Sequence, residues 1–418
     1  MGSTIIGCGK SLPKLEVAND ELKALVDTND EWISTRTGIR SRHVAVEETA
    51  TDLAEAAARQ ALGLADGGWR EDGEAIDPAS IDLVIYATIT PDVLVPSAAG
   101  LLRRRLGLEN AIAFDLNAAC TGFVYGLTVA ECMMAGSTAG APGAAGRNPV
   151  RRALVVGAER LTRVTGWSDR NTCVLFGDGA GAAVLEWNEN RPGIMSSFIT
   201  NADDDTNALT CSFAYDAPLP FDIDGASPEA PEDASLSRID AELGITEFVD
   251  AGEPRQVLRM DGPKVFKFAA EAMTTAVHEA LDRANLTLDD VACIVPHQAN
   301  ERIIKYAAKK LGRPMDFFQL SIDHTGNTSA ASLPRRPTGT PGRPPPCLWL
   351  YATHTTPAAS GAATRWCSSH SAAASPPAPC CWKRKSASEH GRGMRYRPRP
   401  SAIDHQTKRA SEGARFVW

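Results

Sequence analysis

Long hydrophobic runs are missing from this 418-residue chain: no stretch of 18 or more apolar residues exists, which excludes a helical membrane span. The first residues, Met1-Gly2-Ser3-Thr4-Ile5-Ile6-Gly7, lack the charged start and cleavable apolar stretch of a secretory signal, so a cytoplasmic protein is expected. Cysteine pairs with metal-site spacing are absent from residues 1–334, so no metal is expected. The Gly-Asp-Gly-Ala-Gly run at Gly177–Gly181 lacks the Lys-Ser/Thr of a phosphate loop and reads as a tight backbone turn beside a site.

What is present is the composition of a soluble globular chain, 43% hydrophobic and 22% charged, with a net charge of −8. That charge is unevenly divided. Residues 1–334 carry 29 Lys and Arg against 48 Asp and Glu, a net of −19, whereas residues 335–418 carry 14 against 3. The last 84 residues also hold 11 of 27 prolines and four of eight tryptophans, yet only five Leu, Ile, Val or Phe. A basic nucleic-acid arm is Lys-rich and poor in Trp and Cys, and this segment is neither. The two parts therefore read as having different origins, and no nucleic-acid partner is expected.

Within 1–334, short apolar runs alternate with helical patterns, which predicts an α/β protein with a buried sheet. Strands are expected at 81–88, 153–157, 182–185 and 291–295. Thr51 to Leu62 predicts an alanine-rich helix with Asp52 and Glu55 in its first turn, where the dipole favours acids. An internal echo links Asp77–Thr90 to Thr287–Asn300: each follows a helical stretch and runs from an acidic turn into a buried strand with a polar end. Ser137–Arg152 and Asp203–Gly252 read as surface loops.

The sharpest chemical signal is Phe114-Asp115-Leu116-Asn117-Ala118-Ala119-Cys120-Thr121-Gly122-Phe123. A strand runs into small residues, a cysteine and then an apolar helix. Cys120 is thus expected at a helix N-terminus, where free N–H groups and the dipole lower a thiol's pKa for nucleophilic attack. A small core cysteine fits the same segment; Cys132, Cys173 and Cys293 sit in apolar patterns and read as core. Val295-Pro296-His297-Gln298-Ala299-Asn300 puts a histidine just past a strand end, where α/β proteins place site residues. Asn327 lies in a second polar loop, Ser321 to Ser332. Cysteine, histidine and asparagine on three strand-end loops suggest thiol chemistry on acyl groups.

These segments, together with Asp27-Thr28-Asn29-Asp30-Glu31-Trp32-Ile33, Arg36-Thr37-Gly38-Ile39-Arg40, Phe176–Ala183 and His324–Pro334, resemble the β-ketoacyl-acyl-carrier-protein synthase III family of condensing enzymes. The resemblance spans nearly all of 1–334. It implies a thiolase-like, five-layer α-β-α-β-α duplicated fold, with halves at 1–187 and 188–334, in a homodimer. It implies that Cys120 takes an acyl group from acyl-CoA as a thioester. His297 and Asn327 would then hold the malonyl thioester carbonyl and stabilise the enolate formed on loss of CO₂. Trp32 and Arg36 match positions holding the adenine end of CoA, and Arg170 and Phe266 match the pantetheine channel. Arg302 matches a basic residue that docks the acidic acyl carrier protein. Val95 stands in the acyl pocket where some relatives have phenylalanine. No cofactor is implied, since acyl-CoA and malonyl-acyl-carrier protein are substrates. A starter-condensing enzyme of polyketide or alkene pathways is the alternative within the fold, and a catalytically impaired gene product the alternative outside it.

The resemblance stops at Pro334. The family continues with a helix, a strand, a loop of the type Phe-Gly-Gly-Gly-Phe-Thr-Trp-Gly and a final strand. Regrouping the codons, so that each takes the third base of one residue and the first two of the next, makes Trp366-Cys367 encode Val and Cys380-Cys381-Trp382 encode Leu-Leu. In the same frame, His370 to Ala378 permits Phe-Gly-Gly-Gly-Phe-Thr-x-Gly, where x cannot be Trp. Residues 335–360 give no such match. The expectation is that 335–418 is an out-of-frame, disordered tail and that the family's C-terminal strands are missing.

Overall fold

The computed structural model describes residues 2–137, 149–190, 193–211 and 258–332, and the backbone of a strand at 347–350. In chain order the elements are β1 (Gly2–Ser11), β2 (Leu15–Ala18), α1 (Asp30–Thr37), β3 (Ser41–Val44), α2 (Ala50–Leu62), β4 (Trp69–Arg70), β5 (Leu83–Ala87), α3 (Ala98–Leu106), β6 (Ile112–Leu116) and α4 (Gly122–Ser137). There follow β7 (Arg152–Arg160), α5 (Arg170–Cys173), β8 (Asp178–Asn188), β9 (Leu209–Cys211), β10 (Leu258–Met260), α6 (Gly262–Ala284), β11 (Cys293–Pro296), α7 (Glu301–Leu311), α8 (Ile322–Thr325) and β12 (Cys347–Leu350).

Six strands form one mixed sheet in the order β4-β1-β8-β7-β5-β6, with β5 parallel to β6 and β7, and β8 antiparallel to β7 and β1. The inner strands β5, β7 and β8 are apolar on both faces because both faces are covered. Leu83 and Ile85 join the cluster containing Phe123, Leu127, Ala130 and Met134 of α4. Val84 and Tyr86 point the other way, into the cluster of α2 and α3. Each fully buried side chain of this size contributes about 1.5–3 kcal/mol. Helix α2 is alanine-rich because it lies almost on the sheet. A Cβ on Gly9 of β1 would come within 2.1 Å of the Ala57 carbonyl oxygen. Thr49 caps α2, accepting from Asp52 N–H, and Gly63 at φ 77° ends it.

In the second half, α6 and α7 pack through Met273, Val277, Leu281, Ile303, Ile304 and Ala307 around Ile294 of β11. The echo read in the sequence is visible: a single 3₁₀ turn, Pro78–Ser80 or Leu288–Asp290, leads into β5 or β11. Residues 1–360 form one unit, so the described parts of both halves belong together.

Several expectations are corrected. Gly177–Gly181 is no turn: it runs into β8, where Ala180 pairs with Ser11 and Gly181 with Lys10. Its glycines answer a close approach, since a Cβ on Gly177 would meet the Thr325 carbonyl at 2.5 Å. The loop expected over 203–252 contains β9, paired with β10; residues 212–257, and 138–148 of the other loop, lie outside the described residues. Cys173 and Cys293 are buried, but Cys132 is exposed on α4. Ala119–Ser137 is long and apolar enough to cross a membrane by length and composition, because scattered Thr, Glu and Ser break an unbroken run without lowering its mean much. Here it is a core helix, with Phe123, Gly126, Leu127, Ala130 and Met134 buried. Within the segment expected to lack order, Cys347–Leu350 lies parallel to β11, Cys347 opposite Cys293. An open strand edge accepts any extended segment through backbone hydrogen bonds alone.

Candidate active site

Cys120 lies in the 3₁₀ turn Ala119–Thr121, between β6 and the first residue of α4. The turn is strained: Ala119 has φ 44°, a conformation that side chains rarely adopt. The Cys120 thiol is half-buried and accepts a hydrogen bond from Ser329 Oγ at 3.3 Å. Ser329 is buried and also left-handed, at φ 50°. The helix-start position predicts a lowered thiol pKa, and the structure gives the opposite. Burial pushes the thiol up to about 11, the Ser329 hydroxyl opposes this, and the Glu159 charge adds to it. A helix dipole contributes about 0.3–1 kcal/mol, whereas desolvation moves buried groups by up to several pK units.

Asn327 is buried in the turn that follows α8. Its backbone is stitched to the first half: Asn327 N–H donates to the Leu175 carbonyl at 2.9 Å, and its carbonyl accepts from Gly177 N–H at 3.1 Å. The side-chain Oδ1 accepts from Ser329 N–H at 2.9 Å, which assigns the amide orientation and turns its NH₂ end into the available donor. Gly326 has φ 64°, and a Cβ there would meet the Leu175 carbonyl at 2.9 Å.

His297 is buried just past β11, and burial pushes its pKa down to about 4, so the ring is neutral near pH 7. The next residue, Gln298, ties this segment to the Asn327 turn. Its Oε1 accepts from Ser321 N–H at 3.0 Å and Ile322 N–H at 3.2 Å, while Nε2 donates to the Pro296 and Gln319 carbonyls. Gln298 thus holds the start of α8, whose chain leads into the Asn327 turn, and hydrogen bonds run from Asn327 to Ser329 and from Ser329 to Cys120.

The other candidates form separate groups. Arg36 and Arg170 both stack on the Trp32 indole, at 4.8 and 4.6 Å from its centroid, and Arg170 also donates to the Asp27 carbonyl. Asn29 caps α1 by accepting from Trp32 N–H at 2.7 Å, fixing the helix that presents the indole. Arg302, exposed on α7, sits 5.5 Å over the Phe266 ring. Helices α1 and α7 meet closely, as a Cβ on Gly38 would clash with the Glu301 side chain. Val95 is 87% exposed, beside exposed Val93 and Leu94.

The family model described as 3-oxoacyl-[acyl-carrier-protein] synthase III matches residues 114–203, and the model of that family's C-terminal part matches 281–335. The β-ketoacyl-[acyl-carrier-protein] synthase III of Clostridium tetani is 38% identical over 330 residues, covering 79% of this chain and 87% of that one. The protein of the same name from Methylococcus capsulatus is 40% identical over 333 residues, covering 79% and 88%. The chain belongs to the synthase III family. Among solved structures, 3-oxoacyl-[acyl-carrier-protein] synthase III from Aquifex aeolicus matches with TM-score 0.59 and 35% identity over 80% of this chain and 88% of that one. The priming β-ketosynthase of the R1128 polyketide pathway matches with TM-score 0.62 and 35% identity over 79% and 85%. The fold is the thiolase-like α/β fold of these synthases.

Sequence reasoning missed Ser329, Gln298 and Glu159. Glu159 is fully buried at the end of β7 and accepts from Thr88 Oγ1, from Ile89 N–H, and from both N–H and hydroxyl of Thr90. It fixes the turn after β5. A lone acid at the end of the apolar run 153–158 is the sequence signal that could have found it.

Proposed function

We propose that this protein is a β-ketoacyl-acyl-carrier-protein synthase III, condensing an acyl-CoA primer with malonyl-acyl-carrier protein to start fatty-acid synthesis. The observation carrying this reading is the 3.3 Å contact that joins the Cys120 turn to the Asn327 turn in a chain of this family. Cys120 Sγ attacks the acyl thioester carbonyl, the bond to the CoA sulfur breaks, and CoA leaves carrying the thiol proton. The malonyl group then loses CO₂, and the enolate oxygen is held by two neutral donors, the His297 ring and the Asn327 NH₂. The enolate carbon attacks the acyl-enzyme carbonyl and Cys120 is released. Trp32 and Arg36 take the adenine end of CoA, Arg170 and Phe266 line the pantetheine path, and Arg302 receives the acidic carrier protein. No cofactor takes part. The enzyme works as a cytoplasmic homodimer in which Val95 reaches the partner's acyl pocket, leaving room for primers longer than acetyl. Incubation with acyl-CoA followed by intact-mass measurement tests the core of this reading. An acyl adduct on the native chain and none on Cys120→Ser is expected; an adduct persisting in Cys120→Ser would rule out that nucleophile.

The similarity to the R1128 priming ketosynthase favours a second reading, a starter enzyme of a polyketide pathway. Comparing kcat/KM for malonyl groups on a fatty-acid and on a polyketide acyl carrier protein separates the two, and comparing acetyl-CoA with a branched or medium-chain acyl-CoA tests the pocket. A strong acetyl preference, unchanged by Val95→Phe, sinks the roomy-pocket reading.

We further infer that residues from about 335 onward are translated out of frame. The family's C-terminal model ends its match at residue 335, which supports this. The resemblance makes a backbone N–H of the Gly-rich loop the partner of the nucleophile's own N–H in the oxyanion hole, so loss of that loop costs about 10²–10³ in rate. Sequencing the gene across codons 325–385 tests it: a confirmed, unbroken frame overturns the inference.

A further inference from the structure

Two residues with left-handed backbones, Ala119 and Ser329, flank a single side-chain contact, the Ser329 hydroxyl on the Cys120 sulfur. Left-handed non-glycine residues are strained and persist where surrounding structure over-determines them. At Ser329 that support is visible. Its N–H is bound by Asn327 Oδ1, its own carbonyl accepts from Ser332 N–H, and the neighbouring Ala330 carbonyl lies where a Gly157 side chain would stand. The backbone is therefore bent so that a buried hydroxyl, 2% exposed, aims at the sulfur.

We propose that Ser329 is a positioning residue for the nucleophile: its Oγ–H donates to Cys120 Sγ, orients the sulfur, and stabilises it when the thiol loses its proton. This rests on Cys120 being the nucleophile. A hydrogen bond strengthens when its acceptor becomes charged, so the donor favours the thiolate over the thiol. The need is plain, because burial and the Glu159 carboxylate both oppose ionisation of Cys120. Ser329 faces the sulfur from the 3₁₀ turn Ser329–Ala331, which has no titratable side chain, and Glu159 acts on it from β7. On α4 the ionisable groups Tyr125, Glu131 and Cys132 lie further along the helix. The same serine also holds Asn327 through its N–H, so one residue sets both the nucleophile and an enolate donor.

The test is the rate at which iodoacetamide alkylates Cys120, followed by peptide mass spectrometry from pH 7 to 10 in the full chain. In this reaction the thiolate displaces iodide, so the rate reads the thiolate fraction. Ser329→Ala and Ser329→Gly both remove the hydroxyl. Glycine adopts φ 50° without strain and keeps the N–H to Asn327. Both variants are expected to show a profile displaced to higher pH, with alkylation about tenfold slower at any one pH. An unchanged profile in both overturns the proposal. So does a change in Ser329→Ala alone, which would trace to strain rather than to the donor. Acyl transfer is read separately by intact mass: a native chain acylated elsewhere than Cys120 defeats the functional reading, whereas acylated Cys120 with unaltered alkylation in the variants defeats only the role of Ser329.

Discussion

Cys120 stands on a sheet covered on both faces, whereas His297 and Asn327 stand on short segments held by hydrogen bonds to their neighbours. Around the cysteine, α2, α3 and α4 bury Leu83, Val84, Ile85 and Tyr86 from two sides. Around Asn327, position comes from the Leu175 and Gly177 backbones and from Gly326, and around His297 from Gln298. The difference teaches that packing sets the backbone of the nucleophile, that a polar network sets the Asn327 turn and ties the segment after β11 to it, and that the Ser329 hydroxyl joins the two sides. Damage to the donors should therefore leave the nucleophile working.

The largest effect that tests this contrast comes from separating the two half-reactions. His297→Ala and Asn327→Ala are each expected to lower condensation about 10²–10³-fold, the usual cost of one oxyanion donor. Acyl-enzyme formation from acyl-CoA should continue in both, since Cys120 keeps its turn between β6 and α4. The Ser329 turn keeps its Ser332 N–H bond and its seat against Gly157 when the Asn327 amide is lost. Parallel intact-mass and condensation assays check it. If both variants also lose the acyl adduct, the two sides are not separable and the contrast fails.

A smaller effect sharpens the contrast at the seam. A Cβ on Gly157 of β7 would sit 2.2 Å from the Ala330 carbonyl oxygen and 2.7 Å from its carbon, so Gly157→Ala must push the Ser329 turn away. Gly9→Ala makes the same kind of backbone conflict, 2.1 Å from Ala57, at the β1–α2 contact. Overpacking costs about 1–3 kcal/mol in either place. The two variants should lose similar Tm, but only Gly157→Ala should lose condensation activity out of proportion to its folded fraction. Equal activity per folded molecule would mean that the seam does not set the donors.

The sequence made the skeleton of this arrangement legible. Periodicity located β5, β7, β8 and β11, because strands buried on both faces read as continuous apolar runs. The strand–small residue–helix pattern placed Cys120, and the polar residues after Val295 placed His297. What stayed hidden depends on tertiary contact. Ser329 is one hydroxyl in Thr328-Ser329-Ala330-Ala331-Ser332, and nothing local says that its φ is positive or that it faces a sulfur 209 residues away. The glycines at 177–181 suggested a turn because glycine permits one, whereas Gly177 serves here to admit the Thr325 backbone. The thiol pKa went the wrong way because burial cannot be read from a helix-start pattern.

The smallest effect uses one buried titratable group from each side. Burial pushes His297 down from 6.5 to about 4, and Glu159 up from 4.5 to about 7. For His297 the unfolded chain binds the extra proton between about pH 4 and 6.5, so its contribution is full above 6.5 and is lost as the pH falls through that window. For Glu159 the folded chain binds the extra proton between 4.5 and about 7, so its contribution is full below 4.5 and is lost as the pH rises. Over pH 4.5 to 6.5 the two slopes are opposite in sign, and the native chain should melt at nearly constant temperature as far as these groups decide it. Glu159→Gln removes the falling slope, so its Tm should climb with pH across that window. His297→Gln removes the rising slope, so its Tm should decline. Shifts on the order of a few degrees are expected for a chain of this size. Differential scanning calorimetry at half-unit pH steps reads both. Two variants with parallel profiles would mean that these groups do not titrate oppositely, and that the cysteine and donor sides do not answer pH in opposite directions.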